Sequence, residues 1–435
     1  MTAALAGADG PALCAELVAQ ARARGADAAQ VAYGTGEHFE ISFENEAVTQ
    51  LRSIANETIG LMVVREGKQG SASANGRDPS AIEAALTTAL AAADAGIADD
   101  ANAVADAPSE PMSHFGPEAC DRDAMLSAVL DCADELTEHY PLIGNKHGTY
   151  SFLNGETCFA NSRGVVQRSR RGYHVAGVGF VGKDGNAMTS YNASGALSFT
   201  PFERLLDAGA IRRAVEDTVR SLHPQAVPET FVGDVIVTPA ILGSLVGTLA
   251  GALGGQALMA GTTPYKDRKG KPIADPAFSL LNRPRAFAGG AAFDGYGVPT
   301  RDLDVIRDGV LADYLIDFYM ARKLGLAQTA GWTNFIVPSG DTPIDDIIAG
   351  TRRGVLLCGL SGVAPNAHLD LSGIAKNSFY VEAGAIRHAL TETMVTFNLQ
   401  ELLTQIRAIS RESVDFGSSR MPYLAAGGVT VSSKG

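Results

Sequence analysis

Cysteine is scarce in this 435-residue sequence, and its spacing excludes two classes of small-domain architecture. The five cysteines are odd in number and no two form a C-x-x-C pair, so the sequence shows neither a disulfide framework nor a zinc-ribbon pattern. Residues 1–10 also lack the basic segment and apolar core of a secretory signal. We therefore predict free thiols and a cytoplasmic location. The cysteines are Cys14, Cys120, Cys132, Cys158 and Cys358.

Positive charge is also in short supply. Lysine and arginine total 35 against 48 aspartates and glutamates, which gives a formal net charge of −13 and a pI near 5.1. Because phosphate backbones are bound by clustered lysine and arginine, this balance argues against direct contact with nucleic acid. The densest basic stretch, Arg163–Arg171, lies in a strand-like segment, and we predict that it is a solvated strand face.

No apolar stretch of the sequence is typical of a membrane span. The longest uncharged run, Val235–Tyr265, contains Pro239, several glycines and several hydroxyl side chains, and it opens with β-branched residues. A span of the bilayer needs about 20 predominantly apolar residues without such interruptions. We predict a strand followed by a buried, glycine-rich helix, and no membrane partner.

Motifs for metal or nucleophilic chemistry are missing as well. The eight histidines include no helical H-E-x-x-H pair. The strongest local metal-like pattern is His368-Leu369-Asp370, for which a polar turn or a strand-face hydrogen bond is the favoured interpretation. Ser361 lacks the G-x-S-x-G elbow, and Cys358 follows an apolar strand-like run that favours a buried, inert thiol. From the residues alone, we predict no catalytic or metal site.

One glycine pattern has the spelling of a dinucleotide-binding loop. Gly177, Gly179 and Gly182 match G-x-G-x-x-G, but turn residues follow them where the chemistry requires the N-terminus of a helix. We interpret the pattern as a glycine-bearing hairpin strand and predict no nucleotide cofactor.

The patterns that are present favour an α+β protein built from three segments. Residues 1–110 and 111–228 each show a helix, alternating strands and a closing helix, which predicts two helix-flanked antiparallel β modules. Residues 229–435 contain many short strand patterns and hairpin turns, typical of a β-rich barrel- or sandwich-like C-terminal domain. We predict three domains with these boundaries and a linker over 95–111.

Individual elements are predicted from capping residues and hydrophobic periodicity. The predicted helices include 11–24, a helix starting at Asp78-Pro79, 122–139, 201–222, 317–324, 343–349 and 398–409. The predicted strands of the second segment are 150–153, 158–161, 165–170 and 174–181.

A series of local phrases, in order along nearly the whole chain, resembles the TldD/PmbA family. Their order and spacing together are specific to it. They include Ile59-Gly60-Leu61, Lys68–Ser73, Asn161-Ser162-Arg163-Gly164, Gly243–Gly247, Pro299-Thr300-Arg301-Asp302 and Asp308-Gly309-Val310-Leu311.

The resemblance bears directly on metal binding. One branch of the family has H-E-x-x-x-H on a helix of the third segment, and a cysteine nearer the C-terminus completes a zinc site. In the matching stretch of this sequence, Gly243 and Thr248 stand at the histidine positions and Ser244 at the glutamate position. The segment 415–419 contains no cysteine. The sequence therefore resembles the PmbA (TldE)-like branch, which implies no catalytic, cofactor or metal residues in this chain.

Resemblance to that branch also implies partners. It implies a zinc-bearing TldD-like metallopeptidase subunit and an unstructured peptide substrate, acted on in leader-peptide removal or peptide degradation. A homodimer of the isolated chain is also compatible with it. We expect a non-catalytic, metal-free subunit of a TldD/TldE-type complex that is inactive without its partner.

Three questions stay open at this point. The chain could instead be an autonomous hydrolase with an unrecognised site, for which His368, Asp370 and His388 are the first candidates. It could also be a protein-binding regulator, as the family's older description as a DNA gyrase modulator suggests. The glycines of the third-segment helix fit either close packing inside the domain or a tight cleft or subunit wall. They are Gly243, Gly247, Gly251, Gly254 and Gly255.

Overall fold

The structure is a computed structural model that describes residues 9–329, 331, 334–391 and 393–433. Residues 1–8, which entered the prediction of compartment, lie outside the described residues, and so does Trp332. The helices are α1 (Gly10–Ala23), α2 (Pro79–Ala95), α3 (Arg122–His139), α4 (Ile211–Arg220), α5 (Pro239–Ala252), α6 (Gly255–Ala260), α7 (Phe318–Leu324), α8 (Ile344–Gly350) and α9 (Leu399–Thr404).

The strands are shorter and more numerous in the second half of the chain than in the first. They are β1 (Ala28–Glu44), β2 (Ala47–Arg65), β3 (Lys68–Asn75), β4 (Ser113–Phe115), β5 (Ile143–Asn161), β6 (Val166–Asp184), β7 (Ala187–Met188), β8 (Asn192–Ser198), β9 (Phe231–Val237), β10 (Leu280–Asn282), β11 (Leu303–Arg307), β12 (Val310–Leu311), β13 (Phe335–Ile336), β14 (Arg353–Leu357), β15 (Gly359–Ser361), β16 (Asp370–Lys376), β17 (Phe379–Glu382), β18 (Ala385–Ala389), β19 (Thr393–Asn398), β20 (Ile406–Asp415) and β21 (Ser419–Ser433).

Strands β1 to β8 form one eight-stranded sheet with the order β3-β2-β1-β5-β6-β4, and β7 and β8 pair with β6. The first two predicted modules share this sheet, because β1 pairs antiparallel with β5 from Gln30↔Asn161 to Glu44↔His147. The boundary at 110/111 therefore falls between two halves of a single sheet. The division into three domains stays a prediction.

The predicted strand breaks in the second segment are wrong. The predicted strands 150–153 and 158–161 are parts of β5, and the predicted strands 165–170 (from Val166) and 174–181 are parts of β6. The glycines at the supposed breaks are needed for close packing: a Cβ on Gly155 would collide with the carbonyl of Thr35, and one on Gly172 with the carbonyl of Pro117. Neighbouring strands on both sides of β5 keep it extended through Gly155.

Two predicted helices are also too long. The helix predicted over 201–222 is a 3₁₀ turn at Leu205–Asp207 followed by α4, because Gly209 adopts a φ of 56° and ends the first turn. The helix predicted over 398–409 stops at Thr404, and β20 begins at Ile406. The remaining predicted helices agree with the structure to within one or two residues.

Helices α1, α2 and α3 cover one face of the first sheet. Aspartate side chains cap their N-termini, and α1 and α2 also have proline in the first turn, as favours helix initiation. Helices α1 and α2 pack over one end of β1, around Val31 and Tyr33, whereas α3 packs over the other end, around Ile41 and Phe43. A polar groove remains between these two helical layers.

The third segment contains a thirteen-stranded sheet with the order β12-β11-β10-β13-β21-β9-β14-β17-β18 along its main path. The described strands do not close into a barrel, so the barrel alternative predicted for the C-terminal domain is wrong. The predicted α+β class and the sheet-rich C-terminal part are confirmed. Strand β9 lies between β21 and β14, and its side chains enter one core with α5 and another with α8. No helix within the described residues is long and apolar enough to cross a membrane.

The segment predicted as a linker is docked against the third segment. Val104 and Ala105 are buried, and the Asp99 carboxylate accepts hydrogen bonds from the Lys323 ammonium at 2.6 Å and from the Tyr319 hydroxyl at 2.9 Å. The Arg322 guanidinium donates to the carbonyls of Asp100 and Ala101. A composition rich in alanine, aspartate and proline, without apolar periodicity, predicted a linker, and these contacts with α7 hold the segment in place.

We expect the Asp99 contact to make stability depend on pH. The Lys323 hydrogen bond, with help from the Ala101 amide and the Tyr319 hydroxyl, lowers the pKa of Asp99 to about 2. An acid whose folded pKa is depressed contributes stability above its unfolded pKa, near 3.8, and that contribution is lost as pH falls toward 2. Denaturant unfolding of Asp99→Asn should therefore show a deficit relative to wild type at neutral pH that disappears by about pH 2. A deficit of equal size at both pH values would contradict this.

Candidate functional site

Helix α5 presents a face made only of small side chains. It follows β9 directly, with Pro239 in its first turn, and it buries an apolar stripe of leucines and valine against the second sheet. The opposite side is uncharged. The small residues of that side are Gly243, Ser244, Gly247, Thr248 and Gly251, and we call them the small-residue face.

The hydroxyl groups of this face bond to their own helix. The Ser244 hydroxyl donates to the carbonyl of Ala240 at 3.3 Å, and the Thr248 hydroxyl donates to the carbonyl of Ser244 at 3.2 Å. Zinc in proteins is held by imidazole, thiolate or carboxylate groups, and none stands at Gly243, Ser244 or Thr248. These three residues therefore do not fit the zinc site that the family implies.

The glycines of this region have different reasons to be glycine. A Cβ on Gly255 would lie 2.5 Å from the Cβ of Met320, so this residue is small because α7 packs against it. A Cβ on Gly247 or Gly251 would meet nothing within 4 Å, and one on Gly243 would only touch Met421 at 3.9 Å. Close packing within the described residues therefore explains why residue 255 is a glycine. It does not explain the glycines Gly247 and Gly251.

The turn between β20 and β21 lies at the junction of the two sheets. This turn, residues 415–419, matches the segment that carries the zinc-binding cysteine in the other branch of the family, and it contains no cysteine. The Leu197 amide on β8 donates to the carbonyl of Phe416 at 3.0 Å, and the Gly289 amide donates to that of Gly417 at 2.8 Å. Two residues beyond the turn, Met421 is the side chain nearest Gly243. Strand β21, which follows the turn, therefore packs beside α5.

The polar groove between the helical layers of the first sheet has a volume of about 820 Å³. Its floor includes Glu156, whose carboxylate accepts from Arg168 at 3.0 Å and from Arg170 at 2.6 Å. Burial works to raise the pKa of Glu156, but these two guanidinium groups outweigh it and the pKa is lowered. The basic stretch predicted as a solvated strand face therefore lies partly in a groove, with two of its arginines paired.

A second ion-paired cluster forms one wall of this groove. The Tyr33 hydroxyl donates to Glu57 at 2.5 Å, and Arg77 donates to the same carboxylate at 2.6 Å. The Tyr33 hydrogen bond, followed by the Arg77 contacts, lowers the pKa of Glu57. Arginines and carboxylates alternate along the groove, so it has no single sign of charge. On the opposite face of the sheet, a smaller cavity of about 280 Å³ lies against Ala291–Phe293.

The residues of the hydrolase alternative are engaged in local structure. His368 lies in a turn, and the Asp370 carboxylate accepts from Asn398 at 2.8 Å and from Asn366 at 3.0 Å, which lowers its pKa. His388 is on β18, and its ring lies against that of Tyr380 at a tilt of 36°, with ring centroids 5.3 Å apart. Strand β18 pairs with β17, whereas Asp370 begins β16, which pairs with β15 and β19. The strand pairing therefore does not bring the three candidates together.

The other chemical candidates have structural explanations. The Cys358 sulfur lies 3.8 Å from a carboxylate oxygen of the buried Asp217, and burial raises the pKa of this thiol well above its usual value. Ser361 is exposed at the end of β15, and Gly177-x-Gly179-x-x-Gly182 lies within β6. Within the described residues, no group of three or more His, Cys, Asp or Glu side chains is placed to hold a metal ion.

The comparisons with known proteins agree with this architecture. Residues 230–433 match the PmbA/TldA metallopeptidase C-terminal domain, and residues 29–93 match PmbA/TldA metallopeptidase domain 1. A relative from Escherichia coli O157:H7, named Metalloprotease PmbA, is 25% identical over 422 residues, covering 92% of each chain. The two domain matches together cover more than half of the sequence, and the chain belongs to the PmbA/TldD metallopeptidase family.

Two solved structures have the same fold. A Bacteroides thetaiotaomicron protein, named as a candidate modulator of DNA gyrase, superposes with a TM-score of 0.85 at 20% identity, covering 97% of this chain and 98% of its own. TldE from Thermococcus kodakarensis superposes with a TM-score of 0.82 at 19% identity, covering 96% and 99%. The predicted family resemblance is confirmed by these matches, whereas the correspondence of Gly243, Ser244 and Thr248 to the zinc motif stays a prediction.

Proposed function

We propose that this chain is the metal-free subunit of a two-chain TldD/TldE-type peptidase that acts on unstructured peptides. In this proposal, a TldD-like partner holds the zinc and activates water. This chain supplies one wall of the peptide-binding cleft and is inactive alone. The single observation that most supports the proposal is the small-residue face of α5, where side chains unable to bind metal meet open space.

The character of that face suggests its role in the cleft. A helix face exposed to water normally bears charged side chains, whereas Gly247 and Gly251 leave the α5 backbone accessible and uncharged. Glycine in a helix interior costs stability, about 1 kcal/mol relative to alanine, so two uncompensated glycines are consistent with a requirement for close approach by another chain. A peptide backbone or a partner helix fits such a surface.

A cytoplasmic location belongs to the same proposal. All five cysteines are unpaired, although small secreted proteins commonly depend on disulfides. Removal of leader peptides or degradation of unfolded segments is the kind of reaction we propose for the complex.

The proposal is tested by peptide cleavage with purified chains. This chain, a zinc-bearing TldD-type partner and their mixture are each incubated with an unstructured peptide, with and without a metal chelator. We expect chelator-sensitive cleavage in the mixture and none by this chain alone. The partner alone is the control for residual activity. Chelator-sensitive cleavage by this chain alone would overturn the proposal and return attention to an autonomous hydrolase.

A further inference from the structure

The three arginines of β6 have different surroundings. Arg168 and Arg170 both pair with Glu156 in the polar groove. Arg171 lies on the opposite face of the sheet, because neighbouring residues of a strand alternate between the two faces. Its guanidinium carbon lies 5.0 Å from the centroid of the Tyr173 ring. Among the described residues, no carboxylate lies within ion-pairing distance of Arg171, so its charge is not neutralised as the other two are.

Arg171 stands beside a bare part of the sheet. In the strand pairing, Gly155 of β5 lies directly opposite Arg171, and Gly36 of β1 lies directly opposite Gly155. Directly opposite residues share a face of the sheet, so we call these three residues the Arg171 row. A Cβ on Gly36 would meet only the carbonyl oxygen of Asn154, at 3.6 Å, which is an ordinary contact distance. Packing therefore does not require glycine at this position.

Hydroxyl groups border the Arg171 row on both sides. Ser169 and Thr157 lie opposite one another in the next row of the same face, and Tyr173 lies in the row on the other side. None of these three hydroxyl groups has a hydrogen-bond partner among the described residues. Because a carboxylate accepts several hydrogen bonds and donates none, these groups are suitable donors beside the guanidinium.

The Arg171 row and these hydroxyl groups line the cavity of about 280 Å³ against Ala291–Phe293. Phe115, Leu153 and Phe293 add apolar wall to it. Ligand sites typically combine apolar walls with a few converging polar groups, in volumes of about 300–1,000 Å³. At just under that range, this cavity has room for one residue of a ligand and not for a longer segment.

The charges around the cavity favour an anion with a single charge. Arg171 is the one lysine or arginine among the described residues that line it. Glu37 follows Gly36 on β1, so its side chain belongs to the opposite face, and His38 already has the Glu40 carboxylate 3.6 Å from its Nε2 atom. A phosphate monoester carries nearly two negative charges at neutral pH. A carboxylate carries one, and its two oxygens match the planar fork of a guanidinium.

The cavity borders the same junction between the sheets as the small-residue face. Its wall begins at Ala291, two residues after Gly289, whose amide donates to the carbonyl of Gly417. Strand β21 follows that turn and packs beside α5, where Met421 lies nearest Gly243. This shared border is the reason to connect the cavity with the peptide and not with an unrelated small anion.

We propose that this cavity binds a carboxylate of the peptide substrate, with the Arg171 guanidinium as its charged partner and Ser169 and Thr157 as further donors. The carboxylate lies over Gly155 and Gly36, and the residue that bears it contacts the apolar walls. Two groups of a peptide have this chemistry, the C-terminal carboxylate and the side chain of aspartate or glutamate. The inference rests on the proposed function, because it names a chemical feature of the peptide.

The test measures peptide binding to the isolated full chain by fluorescence anisotropy. The first probe is a labelled, unstructured peptide that contains no aspartate or glutamate and ends in a free carboxylate. The second is the same peptide with an amidated C-terminus, and the third is the amidated peptide with one internal glutamate. We expect the first or the third probe to bind about tenfold more tightly, or better, than the second, because charge-assisted hydrogen bonds are lost in the second. The preferred probe identifies the source of the carboxylate.

Substitutions in the cavity should remove this preference. Arg171→Gln keeps a polar side chain but no charge, and the three probes should then bind equally. Gly36→Val fills the space in front of the guanidinium without changing any charge, and it should have the same effect. The matched control is Arg163→Gln, which removes an arginine in the turn before β6, outside the cavity, and should keep the full preference.

The outcomes separate this inference from the proposed function. The inference is overturned if wild type binds the three probes equally or binds none, or if Arg171→Gln or Gly36→Val keeps the preference. An equal loss in Arg163→Gln would also overturn it, since net charge alone would then explain the preference. Carboxylate-dependent binding without cleavage by the two-chain mixture would support the inference and contradict the proposed function alone.

Discussion

Replacing Gly247 with leucine is expected to reduce peptide cleavage by the two-chain mixture about tenfold or more, while the isolated chain becomes no less stable. Gly247 is exposed, and a Cβ added there meets nothing within 4 Å, so we expect no steric penalty in the free chain. Leucine is the better helix former, and the free energy of unfolding should rise by about 0.5–1 kcal/mol. In the proposed complex, the same side chain occupies the space of the peptide or partner backbone. Cleavage kinetics and urea unfolding measure the two effects separately.

Two further variants separate cleft effects from folding effects. Gly255→Ala places a methyl group 2.5 Å from Met320, so the isolated chain should lose about 1–3 kcal/mol of unfolding free energy through overpacking. Ala84→Leu places the same side chain at an exposed position of α2 and should leave cleavage unchanged. If Gly247→Leu cleaves as fast as Ala84→Leu, the small-residue face is not part of the cleft or of the subunit contact.

The helices of the first sheet could be predicted because their signals are local. Asp78-Pro79 and Asp121 act through hydrogen bonds and dihedral angles within one turn, and these operate in the same way in any fold. The lengths of β5 and β6 could not be predicted, because Gly155 and Gly172 have the composition of turns. These two residues must be glycine because a side chain would collide with the carbonyls of Thr35 and Pro117, which are distant in sequence.

The same limit applies to the candidate site. The glycines of the third-segment helix look equivalent in sequence, and only the position of Met320 makes Gly255 a packing residue and leaves Gly247 open. The groove is a similar case, because Glu156 meets Arg170 directly across the β5–β6 register. Family resemblance singled out α5 and the 415–419 turn through a match of sequence, and their correspondence to the family's zinc site stays a prediction.

Gly417, the glycine of the 415–419 turn, should not tolerate a side chain. It adopts a φ of 70°, in the left-handed region, and an added Cβ would collide with the carbonyl of Leu197 on β8. For Gly417→Ala we expect a loss of roughly 2–5 kcal/mol in the free energy of unfolding, combining the left-handed penalty of about 1–2 kcal/mol with overpacking of about 1–3 kcal/mol. Urea unfolding measures the loss. The Leu197 amide, which bonds to the carbonyl of Phe416, should exchange with solvent faster.

Gly164→Ala is the matched control for this prediction. Gly164 also has a left-handed φ, of 84°, but an added Cβ meets nothing within 4 Å. It should therefore lose only the conformational part, about 1–2 kcal/mol. The difference between the two variants measures the contact between the 415–419 turn and β8. If the two losses of unfolding free energy are equal, the contact between the 415–419 turn and β8 contributes nothing to stability. The turn then does not stabilise the junction between the first sheet and the sheet that holds α5.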